Sequence, residues 1–216
     1  MFRSSTTVGR AVGMAVMAIA GVLGVAACGG QIAANTPASN GVNFVAGSGT
    51  ATYFEAGSRA AAPAVSGTTL SGARLSLSSY RGQVVVLTFL YSTCGDTCIV
   101  IGQQIRGALN ELEEEHVRTP AVVIVSADPT ADSPAHVRSF LSQVSLTGRV
   151  RYLTGPLSRL RSIWRAYDVK PASVGAREFD EYAPVLLLDP SGRKRVLFES
   201  EELTPEALSH DVRKLD

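Results

Sequence analysis

Val84-Val85-Val86-Leu87-Thr88-Phe89-Leu90 is an unbroken run of β-branched, leucine and aromatic residues. A strand with one wet face alternates polar and apolar residues, so a strand without that alternation is covered on both sides, as inside an α/β sheet. Ala121-Val122-Val123-Ile124-Val125 repeats the pattern. Between the two runs, Ile99 to His116 sets Ile101, Ile105, Leu109 and Leu112 along one helical face and Glu111 and Glu113 to Glu115 on the wet side. Downstream, the spacing predicts a helix over Pro134 to Gln143, a strand over Val150 to Leu153, and a helix over Pro156 to Tyr167 with Leu157, Leu160, Trp164 and Tyr167 on one face. Val185 to Leu188 and Arg195 to Phe198 flank the turn Asp189-Pro190-Ser191-Gly192, and Thr204-Pro205 caps a last helix carrying Leu208, Val212 and Leu215. Upstream, apolar residues alternate from Leu70 to Leu77 around Ser71-Gly72, a second hairpin. The expectation is an α/β domain from Pro63 to the end of the chain: a central mixed sheet, helices on both faces, and an N-terminal hairpin extension.

Cys94 and Cys98 follow the first central strand directly. This element order, with a Cys pair at the end of that strand, is that of a thioredoxin-like fold. Ligands and chemistry in open α/β sheets sit outside the carboxyl ends of the strands, which is the address of the pair. In a regular first helical turn, residues four apart have Cβ atoms roughly 5–6 Å apart, whereas a disulfide wants about 3.8 Å. Cys94 precedes the regular helix, so both a reversible bond and two adjacent free thiols remain open. The helix N-terminus favours a thiolate at Cys94 and makes it the attacking sulfur, with Cys98 resolving. Asp96 opposes this unless its side chain caps the helix. A static bridge spanning so short a loop would stabilise little, a poor reason to place one there.

The first 27 residues have a different character. Arg3 and Arg10 precede an uncharged stretch, Ala11 to Ala27, that ends in Val25-Ala26-Ala27-Cys28. The stretch resembles a bacterial lipoprotein signal, which implies cleavage before Cys28 and acylation of its sulfur; the alternative is an uncleaved anchor. Either places the rest of the chain outside the cytoplasm, where disulfides form. Residues 28–62, rich in Gly, Ala, Ser, Thr and Asn, read as a lipidated Cys and flexible tether, with Phe44 and Tyr53-Phe54 able to pack as short strands on the domain. A formal charge of +1 gives no electrostatic case for nucleic acid.

From about Pro63 onward the chain resembles the Sco/SenC family of cytochrome oxidase assembly proteins. The likeness lies in Tyr91-Ser92-Thr93-Cys94-Gly95-Asp96-Thr97-Cys98, in Ser126-Ala127-Asp128-Pro129-Thr130-Ala131-Asp132-Ser133-Pro134, in Leu146-Thr147-Gly148 and in Leu188-Asp189-Pro190-Ser191-Gly192. The resemblance implies that Cys94 and Cys98 cycle as a dithiol, and that with a His upstream of the final hairpin they bind copper. Glu181 occupies that His position here, and Gly95 the position of the family's proline. Two thiolates suit Cu(I); without the imidazole they should hold Cu(II) poorly. The stretches Gly67 to Gly72, Leu75 to Leu77 and Tyr80 to Val86 are also similar to the TlpA/ResA-like membrane-tethered oxidoreductases. The resulting expectation is a membrane-anchored extracytoplasmic thiol-disulfide oxidoreductase acting on a protein thiol or disulfide, with a cytochrome oxidase subunit as the implied partner and no required cofactor. The rivals are a Cu(I) chaperone using the same two sulfurs and a binding protein with an idle disulfide.

The remaining candidates read as follows. Glu181 is either a proton relay for Cys98 or a solvated loop acid. Pro184 is placed to set a loop near the sulfurs, as the cis-proline of thioredoxin-like folds does. His116, His136 and His210 read as surface residues, Trp164 and Tyr167 as packing, and Asp128 and Asp132 as turn and cap chemistry.

Overall fold

The computed structural model describes residues 44–46, 51–54, 60–170, 183–200 and 202–216. Nine strands form one sheet: β1 (Phe44–Ala46), β2 (Thr52–Phe54), β3 (Ser66–Thr69), β4 (Arg74–Ser76), β5 (Val85–Leu90), β6 (Ala121–Ser126), β7 (Val150–Thr154), β8 (Val185–Leu188) and β9 (Lys194–Phe198), in the spatial order β1-β2-β9-β8-β5-β6-β7-β3-β4. The helices are α1 (Asp96–Glu114), α2 (Pro134–Gln143), α3 (Leu157–Ala166) and α4 (Pro205–Leu215), with a short 3-10 turn at Leu77–Tyr80.

β5, β6 and β7 are parallel, with Leu90 opposite Ser126 and Val125 opposite Leu153. β8 runs antiparallel to β5, and β9 to β8. All six residues of β5 are buried. Successive side chains of a strand point to opposite faces, so both faces of the sheet are covered. On one side α1 turns Ile101, Ile105, Ala108 and Leu112 inward and packs against α4. Trp164 of α3 donates its indole N–H to the Ser126 carbonyl at 3.0 Å, and the Tyr167 ring tilts against Phe89 with centroids 5.4 Å apart. The mixed α/β architecture is the thioredoxin-like one expected.

The element ends have local causes. Ser133 Oγ accepts the His136 amide and Thr204 Oγ accepts the Ala207 amide, each capping a helix whose first residue is proline. The β8–β9 turn needs Gly192 at φ +72°, in the left-handed region where a side chain is strained, and a Cβ there would meet the Arg81 guanidinium.

Two strands fall inside the segment read as a tether, at the apolar interruptions Phe44 and Tyr53-Phe54 that were expected to be able to pack on the domain. β1 and β2 form a hairpin in which Phe44 lies opposite Phe54, and β2 continues the sheet at β9 through the pairs Thr52–Leu197 and Tyr53–Val196. Tyr53 also donates its hydroxyl to Asp211 Oδ2 of α4 at 2.9 Å. The edge of β9 is thereby paired rather than open. The lipid-box Cys28 lies outside the described residues, and no helix among those described is long and apolar enough to cross a membrane.

Candidate functional site: the cysteine pair at the end of β5

β5 ends at Leu90 and the chain turns through Tyr91-Ser92-Thr93 before α1 begins. The Cys94 amide donates to the Tyr91 carbonyl at 3.2 Å, closing the turn. Gly95 is the residue that precedes α1, and Asp96 is its first residue. Of the two possibilities left open for Asp96, a capping side chain or an opposing carboxylate, the cap is not the one observed. The capping position belongs to Gly95, which has no side chain to offer, and Asp96 stands exposed in the first turn, where a carboxylate suits the positive helix end.

Cys94 and Cys98 are joined as a disulfide, with Cα atoms 5.7 Å apart, inside the usual range for such a bridge. Of the two expected arrangements, the bonded one is observed. Cys98 is fully buried, while Cys94 keeps 7% exposure and is flanked by exposed Thr93, Gly95 and Asp96. Cys94 is thus the less buried residue of the pair. The exposed neighbours of the bond lie on the Cys94 side.

The turn before Cys94 is held from below. The Ser92 amide donates to Asp132 Oδ1 at 2.6 Å, and its hydroxyl donates to the Ala131 carbonyl at 3.2 Å. Asp132 Oδ2 accepts the Ser126 and Tyr152 hydroxyls, each at 2.6 Å, and Tyr152 also approaches the Leu90 carbonyl at 3.1 Å. Burial, then the charge and hydrogen bond of Asp132, push the Tyr152 phenol well above the ordinary tyrosine range. The expectation for the two aspartates divides. Asp128 is turn chemistry, its Oδ1 accepting the Thr130 amide and hydroxyl at 3.0 and 2.6 Å. Asp132 is instead a buried tie between the parallel strands β6 and β7 and the cysteine turn. The missed signal was that Ser133, its neighbour, already supplies the cap, which leaves Asp132 without a local job.

β8 begins at the end of the sheet where β5 finishes, so Ala183 and Pro184 lie at the cysteine end, where the Pro184 carbonyl accepts the Thr88 hydroxyl at 2.9 Å. No cis peptide occurs among the described residues, so the cis-proline expectation for Pro184 is not met. Glu181 lies outside the described residues. His116, His136 and His210 are exposed, as expected. The His136 Nδ1 sits 3.0 Å from the Ala131 carbonyl. Among the described residues no group of three or more His, Cys, Asp or Glu side chains is arranged to hold a metal ion. Of the metal donors considered from the sequence, the structure therefore brings together the two sulfurs.

The SCO1/SenC family model matches residues 60–215. Among solved structures, a SCO1/SenC family lipoprotein from Bacillus anthracis is 19% identical with TM-score 0.58, covering 70% of this chain and 92% of its own. BsSco, a member of the Sco family of cytochrome c oxidase assembly proteins in which a disulfide switch was identified, is 19% identical with TM-score 0.57, covering 73% and 94%. ScoI of Arabidopsis thaliana, solved with copper bound, is 19% identical with TM-score 0.58, covering 72% and 97%. At these identities the solved structures speak for the fold alone. No curated protein matches the chain. The family model, which spans most of the chain, carries the assignment: this protein belongs to the SCO1/SenC family.

Proposed function

We propose that this protein is an extracytoplasmic thiol-disulfide oxidoreductase, held at the membrane by a lipid on Cys28, whose Cys94–Cys98 pair exchanges with a protein thiol or disulfide. The observation that carries the reading is a bond between two cysteines at a helix N-terminus, Cys98 fully buried and Cys94 less so, beside exposed Thr93, Gly95 and Asp96. A dithiol needs that asymmetry. In the reducing direction, the Cys94 thiolate attacks a partner disulfide, one partner sulfur leaves as thiolate, and the Cys98 thiolate attacks the Cys94 sulfur. The second partner thiolate then departs and the Cys94–Cys98 bond closes, so two electrons pass to the partner. The positive end of α1 stabilises the attacking thiolate. Support also comes from BsSco, a family member with a disulfide switch. The reported link of that family to cytochrome c oxidase assembly makes an oxidase subunit the partner to try first.

A second reading has its own support in the copper-bound relative. Here the reduced pair carries Cu(I) as cargo. Two thiolates are a suitable soft donor set for that ion, while the described residues add no third donor. Glu181 is the residue to test for completing the site in this reading, or for relaying a proton to Cys98 in the first.

Two measurements separate the readings. The Cys94–Cys98 reduction potential should lie above about −300 mV for an active couple and below it for an idle structural bridge. Anaerobic titration of the reduced protein with Cu(I) should show weak binding if exchange is the function. Equimolar tight binding lost in Cys98→Ala, with no dithiol turnover, would reverse the order of the two readings.

A further inference from the structure

Asp132 is a buried acid that the exchange chemistry above does not use. It is 6% exposed and accepts three hydrogen bonds of 2.6 Å, one from the Ser92 amide and one each from the Ser126 and Tyr152 hydroxyls. Burying a carboxylate is costly unless such donors repay it. Two of the donors, Ser126 at the end of β6 and Tyr152 in the middle of β7, are fixed by the sheet. Ser126 is held further by the Trp164 indole on its carbonyl, and Tyr152 is 3% exposed. The third donor is different: Ser92 lies in the turn, two residues before Cys94. The carboxylate therefore adds a direct tie from the sheet to the Ser92 amide, beside the Ser92 hydroxyl bond and the Cys94–Tyr91 bond that closes the turn.

We propose that Asp132 is the positioning residue of the cysteine couple, holding the Ser92 amide so that Cys94 stays poised over Cys98 and the disulfide closes without reordering the turn. The proposal rests on the exchange reading of the pair. Its physical content is preorganisation. Closing a bond between two sulfurs costs less when the mobile one is already placed, so the Asp132 tie favours the disulfide side of the equilibrium. An asparagine at this position keeps the effect. Its side-chain oxygen still accepts the Ser92 amide, and its NH2 donates to the two hydroxyls, which turn to accept; the Tyr152 proton then turns from Asp132 to the Leu90 carbonyl, 3.1 Å away. An alanine abolishes it.

The test is the dithiol–disulfide equilibrium constant of the full chain against glutathione, for the wild type, Asp132→Ala, Asp132→Asn and Tyr152→Phe. Tyr152→Phe removes a hydrogen bond from the same carboxylate without touching Ser92. Asp132→Ala should shift the equilibrium toward the dithiol about tenfold, a change of roughly 30 mV for two electrons, while Asp132→Asn and Tyr152→Phe stay within about twofold of wild type. A folded Asp132→Ala with the wild-type equilibrium overturns the proposal, and so does an Asn variant shifted as far as Ala, which would make charge rather than placement the cause. Hydrogen exchange at the Ser92 amide of oxidised wild type decides the matter if the alanine variant does not fold: slow exchange supports the tie, and exchange at the free-turn rate overturns it. A wild-type pair that never cycles in this assay sinks the exchange reading itself, and the proposal with it; a cycling wild type with an indifferent Asp132 sinks only the proposal.

Discussion

Cys94 and Cys98 differ in a way that assigns an order of events. With Cys98 fully buried and Cys94, at 7% exposure, the less buried of the two and next to exposed Thr93 and Gly95, an incoming sulfur is expected to meet Cys94 first and to form the mixed disulfide there. Replacing Cys98 by alanine should leave that intermediate unresolved, so a partner-linked species accumulates and is seen on a non-reducing gel. Cys94→Ala should give none. Equal trapping by both variants would mean that the roles are not divided. Asp189 sets a second residue-scale outcome. Burial acts to raise its pKa, but bonds from the Ser191 hydroxyl at 2.6 Å, the Arg193 amide at 3.0 Å and Arg195 at 3.2 Å outweigh it and hold the carboxyl below its usual 3.8. A depressed acid binds its proton more weakly folded than unfolded. Its stabilisation is present above the unfolded value and is lost as pH falls through the folded one. Stability measured by urea between about pH 5 and pH 3 should therefore fall more steeply for wild type than for Asp189→Asn. Parallel curves would remove Asp189 from the acid-sensitive groups.

At the scale of elements, α1 is held between the cysteine turn and α4, and its fit against α4 depends on a missing side chain. A Cβ on Gly107 would lie 2.7 and 2.9 Å from the Cγ and Cβ of Pro205. The pyrrolidine ring cannot rotate away, so Gly107→Ala must push α4 outward. The expected cost is about 1–3 kcal/mol, read as a lowered urea midpoint with unchanged slope; an unchanged midpoint would show that the helices yield freely. Apolar periodicity alone shows none of this, because Gly107 looks like one more small residue on a helix. What periodicity does reveal is the element itself. α2 and β8 run over the predicted residues, and α1 starts three residues earlier than Ile99, because Asp96 and Thr97 carry no apolar signal. The address of the cysteine pair was legible for the same reason, since a doubly buried strand fixes where its carboxyl end must be. The role of Asp132 was not. Its partners Ser92, Ser126 and Tyr152 lie at sequence distances of 40, 6 and 20, and Ser and Tyr look alike whether solvated or bonded to a buried acid.

For the whole molecule, the question is where the folded body begins. The resemblance and the family model both start near residue 60, yet β1 and β2 lie upstream and extend the sheet past β9. The apolar interruptions at Phe44 and Tyr53-Phe54 marked the places, but three-residue strands leave too little pattern to fix their pairing. Removing everything before Ala60 would strip the cover from the β9 edge and take the Tyr53 hydroxyl from Asp211, an acid 2% exposed whose Oδ1 already has no hydrogen-bond partner among the described residues. A chain starting at Ala60 should still form its cysteine bond. It should nonetheless be less stable than one starting at Ala38 by about 2–3 kcal/mol, given a lost hydrogen bond to a charged group and lost strand pairing. It should also associate through the bare edge as concentration rises. Thermal unfolding and sedimentation of the two chains test both points. The gap has a pH signature as well. Burial, then the hydrogen bond and charge of Asp211, raise the Tyr53 phenol from 10.0 to about 12. A raised acid stabilises fully below its unfolded value and loses that contribution as pH climbs to its folded one. The stability difference between the two chains should therefore hold at neutral pH and narrow across that alkaline window. A gap that stays constant there would mean that Tyr53 does not bind the hairpin to α4, and an absent gap at neutral pH would place the start of the folded body at residue 60 after all.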